Sequence, residues 1–248
     1  DPHVVGYMES HDEERLMIKN LEFGNSQGNY NIKDLTTALG RQELAANFFL
    51  TIPGPKMIWQ FGELGYELSI NMGEDGSVDG DCKLSPKKSA FTLGMDKDKD
   101  RIKLYRTWSR ILQIRNIEKI FKTNKFNTSF SSELKYMTLE DDNPGDGISK
   151  VIIISNFGTE TKVVSGVILP DGEWFDIFRN NSKVLVSQDN RVNLYPGQFM
   201  ILADKMSSID DDEQILLPVE KFNDNNSISI YPNPTLGNTF FDIKDNTD

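Results

Sequence analysis

Near Phe121 the pattern of apolar residues changes character, and that switch constrains the fold more than any single motif does. Before it, Val4–Met8 and Lys56–Phe61 are apolar runs too short for helices and read as buried strands. Between them, Asp34 is placed to cap a helix carrying Leu35, Leu39, Ala45, Phe48 and Phe49, which Pro53, Gly54 and Pro55 stop. Asp98 to Ile120 returns to helical period through Ile102, Tyr105, Trp108, Ile111, Leu112 and Arg115. Strand, helix, strand, helix predicts a parallel sheet or barrel. After Phe121 the runs shorten to Glu133–Leu139, Lys150–Asn156, Thr161–Leu169, Glu173–Phe178, Lys183–Ser187, Arg191–Leu194 and Gln198–Ala203. Turn signals separate them, among them Asn143-Pro144-Gly145, Asn180-Asn181 and Tyr195-Pro196-Gly197, which predicts an antiparallel sandwich or meander. The expected class is therefore α/β followed by all-β.

Composition narrows what such a chain can do. Its 248 residues permit one barrel or two smaller domains. A net charge of −11 argues against binding a phosphate backbone or an anionic membrane surface, since no basic patch interrupts the acidic field. Apolar runs such as Val151–Ile154 fall far short of a membrane span. Cys82 is the single cysteine, without the partner or histidine spacing that a disulfide, a zinc site or a thiol nucleophile needs. The chain begins at Asp1 with neither an initiator methionine nor a leader, and is expected to be a piece of something longer. Glu63–Met95 reads as a long loop, either functional or replacing an element, and Asp210–Glu213 as a solvated acidic linker. Phosphate loops, nucleotide-binding glycine fingerprints, serine elbows and metal boxes are missing from the sequence.

The densest titratable cluster, Glu9 to Arg15, lies where the first strand meets a loop. Parallel α/β folds build ligand sites at such strand ends. His11 and Asp12 can then share a pocket, the imidazole donating to a ligand hydroxyl and the carboxylate accepting, with Glu9 a further acceptor. A histidine beside acids also serves as a surface or capping residue. Glu13 and Glu14 suit a first helical turn, with Arg15 pairing to one of them. After the second strand, Gly62 and Gly65 suggest close backbone approach or positive φ, leaving Glu63 as rim ligand or loop anchor.

Tyr7-Met8-Glu9-Ser10-His11-Asp12 resembles the strand end of α-amylase-family (glycoside hydrolase family 13) enzymes, an aromatic residue, three further residues and then His-Asp. Gly54-Pro55-Lys56-Met57-Ile58-Trp59-Gln60-Phe61-Gly62-Glu63-Leu64-Gly65 is similar to the family's segment at strand eight. The resemblance implies that residues 1–119 are the C-terminal part of a (β/α)8 barrel, from strand seven to helix eight, and that 120–205 form an antiparallel β-sandwich domain. It implies Asp12 as transition-state stabiliser and His11 as sugar-binding, with Glu9 and Glu63 near the pocket. The partner would be an α-glucan or maltooligosaccharide. Retaining glycosidases need a nucleophile and an acid/base carboxylate. The family carries these on strands four and five, expected before Asp1, so the chain alone is expected to be inactive on α-glucans. The region that binds calcium in many amylases is likewise expected upstream, and no cofactor is assigned. Ile228-Ser229-Ile230-Tyr231-Pro232-Asn233-Pro234-Thr235 is similar to the start of a type IX secretion sorting domain of Bacteroidetes. That implies a truncated β-rich sorting tail over 227–248, joined by the acidic linker that composition gives over 206–226, contact with the type IX machinery, and a secreted or cell-surface protein. A 1,4-α-glucan branching transferase would share this barrel segment. A non-catalytic carbohydrate-binding module is a different alternative, with exposed Trp174 and Phe175 stacking on sugar. Residues 1–119 are expected to fold poorly alone and the β-domain to be stable by itself, because part of a barrel leaves strand edges unpaired.

Overall fold

The computed structural model describes residues 3–209 and two short strands at 228–230 and 241–243. Three helices and an antiparallel sheet make up the first compact unit, which the chain's contacts close near Asp211. Helix α1 spans Leu16–Phe23, α2 spans Leu35–Thr51 and α3 spans Lys99–Ile117. The 3.6-residue period holds in α2 and α3. Ala38, Leu39, Ala46 and Leu50 of the first are buried with Leu104, Trp108, Ile111 and Ile114 of the second. Asp98 caps α3 by accepting from the backbone N–H of Asp100 at 3.0 Å and Arg101 at 3.1 Å. Asp34 stands at the cap position of α2 as expected, but its carboxylate accepts from Asn31 Nδ2 at 2.8 Å instead. Asn20–Lys33 contains the end of α1 and a minimal hairpin of β1 (Ser26–Gln27) and β2 (Tyr30–Asn31).

The two buried strands expected in the first half are not formed as such. Val4–Met8 and Lys56–Phe61 meet in a single parallel bridge, Gly6 with Lys56, where Gly6 N donates to Pro55 O at 3.0 Å and Met57 N to Gly6 O at 2.9 Å. Val4, Val5, Tyr7 and Ile58 are exposed. Pro53 and Pro55 supply no N–H to extend a ladder, and Phe61 turns left-handed at φ +62°, so the extended run ends after a few residues.

The second half follows the sequence pattern more closely. Strands β3 (Phe126–Ser129), β4 (Leu134–Glu140), β5 (Lys150–Asn156), β7 (Gly172–Asp176), β8 (Ser182–Val186) and β10 (Phe199–Ala203) form one sheet in the order β3-β4-β5-β10-β7-β8. Every adjacent pair is antiparallel. Asn180 and Asn181, at φ +53° and +55°, make the tight β7–β8 turn, because asparagine tolerates the left-handed region that such hairpins demand. The expected strand Thr161–Leu169 shrinks to β6 (Lys162–Val163) and Arg191–Leu194 to β9 (Asn193–Leu194), which pair as a separate ribbon. The architecture differs from two comparable facing sheets. One face of the six-stranded sheet, through Met137, Leu139, Val151, Ile153, Ile201 and Ala203, joins the core that includes α2 and α3. The other face, through Ile152, Ile154 and Leu202, is covered by Val164, Leu169 and Leu194 around the small ribbon. Burial on both sides explains why β5 reads Val-Ile-Ile-Ile without alternation.

Trp174 is 7% exposed and its Nε1 donates to Pro170 O at 3.1 Å, while Phe175 is half-buried against the helical core. The exposed aromatic platform that the binding-module alternative requires at these two residues is therefore not present; Trp174 is core. Beyond Asp211, β11 (Ile228–Ile230) pairs antiparallel with β12 (Phe241–Ile243). Asp210–Glu213 and the Tyr231–Thr235 string lie outside the described residues. Among the described residues no helix is long and apolar enough to cross a membrane.

Candidate functional site

The turn from Met8 to Leu16 sorts its charged residues between interior and surface. Glu9 points inward, where its Oε1 accepts from Arg15 Nη1 at 2.9 Å and its Oε2 from the backbone N–H of Leu16, also at 2.9 Å. That second bond caps the first turn of α1. Arg15 also donates from Nη1 to Gln60 O at 3.0 Å and lies 4.8 Å from the centre of the Tyr66 ring. Its partner is thus Glu9, not Glu13 or Glu14, and neither of those acids enters a first helical turn, since α1 begins only at Leu16. Glu14 instead reaches across to the long loop, accepting from Ser69 Oγ and from Ile70 N at 3.1 Å. Burial works against its charge, but these bonds and one from Arg15 N outweigh it and hold the carboxyl below its usual range.

His11 and Asp12 point outward, with side chains 70% and 62% exposed and His11 Nε2 lying 3.1 Å from Asp12 Oδ2. Lys83 Nζ donates to Asp12 Oδ1 at 2.7 Å. The Lys83 hydrogen bond, then the nearby His11 and the Lys83 charge, lower the Asp12 pKa, which keeps the carboxylate ionised and accepting. The His11 ring sits 5.9 Å from that of Trp59, tilted by 51°. The Gly6–Lys56 bridge aligns the two segments that carry these rings. A solvent-facing imidazole, an ionised carboxylate and an indole thus share one surface.

Glu63 lies around the corner, in the single helical turn Gly62–Leu64. It lines a pocket of about 450 Å³ together with Trp59, Phe61, Tyr105 and Trp108. Burial first, and then the negative charge of Glu9, push its pKa up. The two glycines expected to allow close approach do so. A Cβ on Gly62 would stand 3.1 Å from Glu9 Oε1, and one on Gly65, at φ +65°, would stand 2.3 Å from Leu39 Cδ2. The structure therefore unites His11 and Asp12 at the surface, places Glu9 beneath them as a brace, and sets Glu63 in an adjoining pocket that shares Trp59. Trp59 was legible only as part of a motif, and nothing near Lys83 in the sequence marks it as a partner of Asp12. Among the described residues no three His, Cys, Asp or Glu side chains group as metal ligands would.

No family model matches the chain. No curated protein matches it either. Solved structures do. The chain is similar to AmyP in complex with maltose, at 16% identity and a TM-score of 0.53 over 70% of this chain and 36% of that one. The α-amylase from Geobacillus thermoleovorans complexed with acarbose matches at 14% identity and a TM-score of 0.51, over 81% and 38%. Pullulanase from Bacillus acidopullulyticus matches at 15% and 0.57, over 80% and 24%. The chain thus spans less than two-fifths of the length of these structures. Its mixed helical and antiparallel-sheet fold is one found within glycoside hydrolases of the amylase and pullulanase kind.

Proposed function

We propose that the chain is part of an α-glucan-active glycoside hydrolase of the α-amylase type, and that His11, Asp12 and Trp59 form a sugar subsite. The observation that carries this is the exposed cluster itself, in which a carboxylate held ionised stands beside an imidazole and an indole. The fold likeness to maltose- and acarbose-complexed structures supports it. In this reading Asp12 accepts from a sugar hydroxyl and opposes the positive charge that develops on an oxocarbenium-like transition state. His11, whose Nε2 faces Asp12, offers Nδ1 as acceptor to a neighbouring hydroxyl, and Trp59 offers its face to the apolar side of the ring. Glu63 serves at the rim of the adjoining pocket. The chain by itself binds glucan without cleaving it, the nucleophile and acid/base being supplied by other parts of a whole enzyme. The Ile228–Thr235 string supports export by a type IX route.

Titrating maltotriose into the full chain while following amide and indole NMR signals tests the subsite. Shifts confined to His11, Asp12, Trp59 and their neighbours are expected. Asp12→Asn or His11→Ala should weaken binding by about 10-fold or more, the worth of a hydrogen bond to a charged group. Wild-type signals unmoved by millimolar maltotriose, or affinities unchanged in both variants, would overturn the reading.

A further inference from the structure

Residues 69–88 form an arm whose shape is set by its own hydrogen bonds. Met72 and Val78 bridge across a turn in which Gly73 N donates to Ser77 O at 2.7 Å, and Asp79 N donates to Asn71 O at 2.9 Å. The turn Gly80–Leu84 follows, with Asp79 accepting from Asp81 N at 3.1 Å. Lys87 Nζ then binds the carbonyls of Cys82 at 3.0 Å and Ser85 at 2.7 Å. The arm and its root line a cavity of about 390 Å³ bounded by Leu68, Met72, Lys88 and Leu93, so apolar packing leaves the space beside it unfilled. Polar contacts tie it to the 9–15 turn at two places. Ser69 and Ile70 bind Glu14 where the arm begins, and Lys83, in the turn Gly80–Leu84, binds Asp12.

We propose that Lys83 is a positioning residue for Asp12, and that the 69–88 arm is a strap which presents it. Each Asp12 oxygen has one protein partner, Lys83 Nζ on Oδ1 and His11 Nε2 on Oδ2. A carboxylate oxygen accepts two hydrogen bonds, so each still has capacity for a ligand hydroxyl while its direction is held. Lys83, at 36% exposure, belongs to the arm and not to the 9–15 turn that carries Asp12, so displacement of the arm would alter the subsite without altering any residue in it. The consequence for ligand rests on the glucan reading above; the hold on Asp12 does not.

The test uses the full chain as wild type, Lys83→Met and Lys83→Arg. In Lys83→Met the Asp12 carboxyl, followed by carbon NMR, should titrate at higher pH than in wild type, nearer its ordinary value of 3.8. Amide exchange over 80–84 should quicken about 2- to 5-fold, the scale of a partly exposed ion pair. Maltotriose affinity should fall by a similar factor, and Lys83→Arg should restore all three. An unchanged Asp12 titration with unchanged exchange would overturn the strap. A shifted titration with unaltered maltotriose affinity would overturn positioning of the carboxylate for ligand. Should wild type bind no maltotriose while Lys83→Met still shifts Asp12, the glucan reading falls and the hold of Lys83 on Asp12 stands.

Discussion

Glu9 and His11 stand two positions apart and have opposite fates, because the chain between them turns from the interior to solvent. The Glu9–Arg15 pair is almost fully enclosed, at 8% and 3% side-chain exposure. Removing one member of such a pair leaves the other charged and unpaired out of water, so Glu9→Ala should cost about 3–5 kcal/mol of stability, measured as a lowered urea midpoint at constant slope. A loss below about 1 kcal/mol would mean that water reaches Arg15. Glu63 works in the other direction. Its raised pKa means that the folded state binds the proton more tightly, so its contribution is fully favourable below the ordinary value of 4.5 and is lost as pH rises through the shifted value. Glu63→Gln is therefore expected to be more stable than wild type at pH 7, with the advantage vanishing in acid; parallel urea midpoints across pH would contradict this. The candidate positions His11, Asp12 and Glu63 were all legible in sequence. Which of the neighbouring acids faces inward was not, since a strand end and a turn follow the same residue string until packing chooses.

At the scale of the element, local rules predicted where α2 and α3 lie but not what caps them. Asp34 and Asp98 occupy the same position before their helices, yet only Asp98 bonds its helix's free N–H groups. Asp98→Ala should cost about 1 kcal/mol, and Asp34→Ala less, a difference that paired thermal melts would resolve. Gly65 is a stronger constraint. At φ +65° with Leu39 Cδ2 only 2.3 Å from where a Cβ would stand, Gly65→Ala meets both backbone strain and the α2 core. A loss larger than that of Asp98→Ala is expected. Where local rules failed, in Val4–Met8 and Lys56–Phe61, the residues carry strand propensity but only one parallel bridge forms between them. A strand is completed by its neighbours, and propensity does not supply them.

For the whole molecule, the helices and one face of the sheet share a single core, which includes Met17, Leu104 and Trp108 with Met137, Ile153 and Ile201. Residues 3–209 are therefore expected to unfold in one step, with the ellipticity of the helices and the fluorescence of Trp108 and Trp174 changing together in urea. Two resolved transitions would show that the helical half and the sheet are separable. The sequence by itself determined the switch from helical to strand period, the turns at Asn180 and Asn181 and the strand β5. Each depends on residues a few places apart, whose spacing and conformational preferences act before anything folds. Only tertiary structure decided that Arg15 would brace Glu9, that Trp174 would be buried, and that Lys83 would reach Asp12 from 71 residues away. Those pairings join side chains whose separation along the chain carries no periodic signal, and they exist because the burial of apolar surface on both faces of the sheet and against the helices brings distant backbone together.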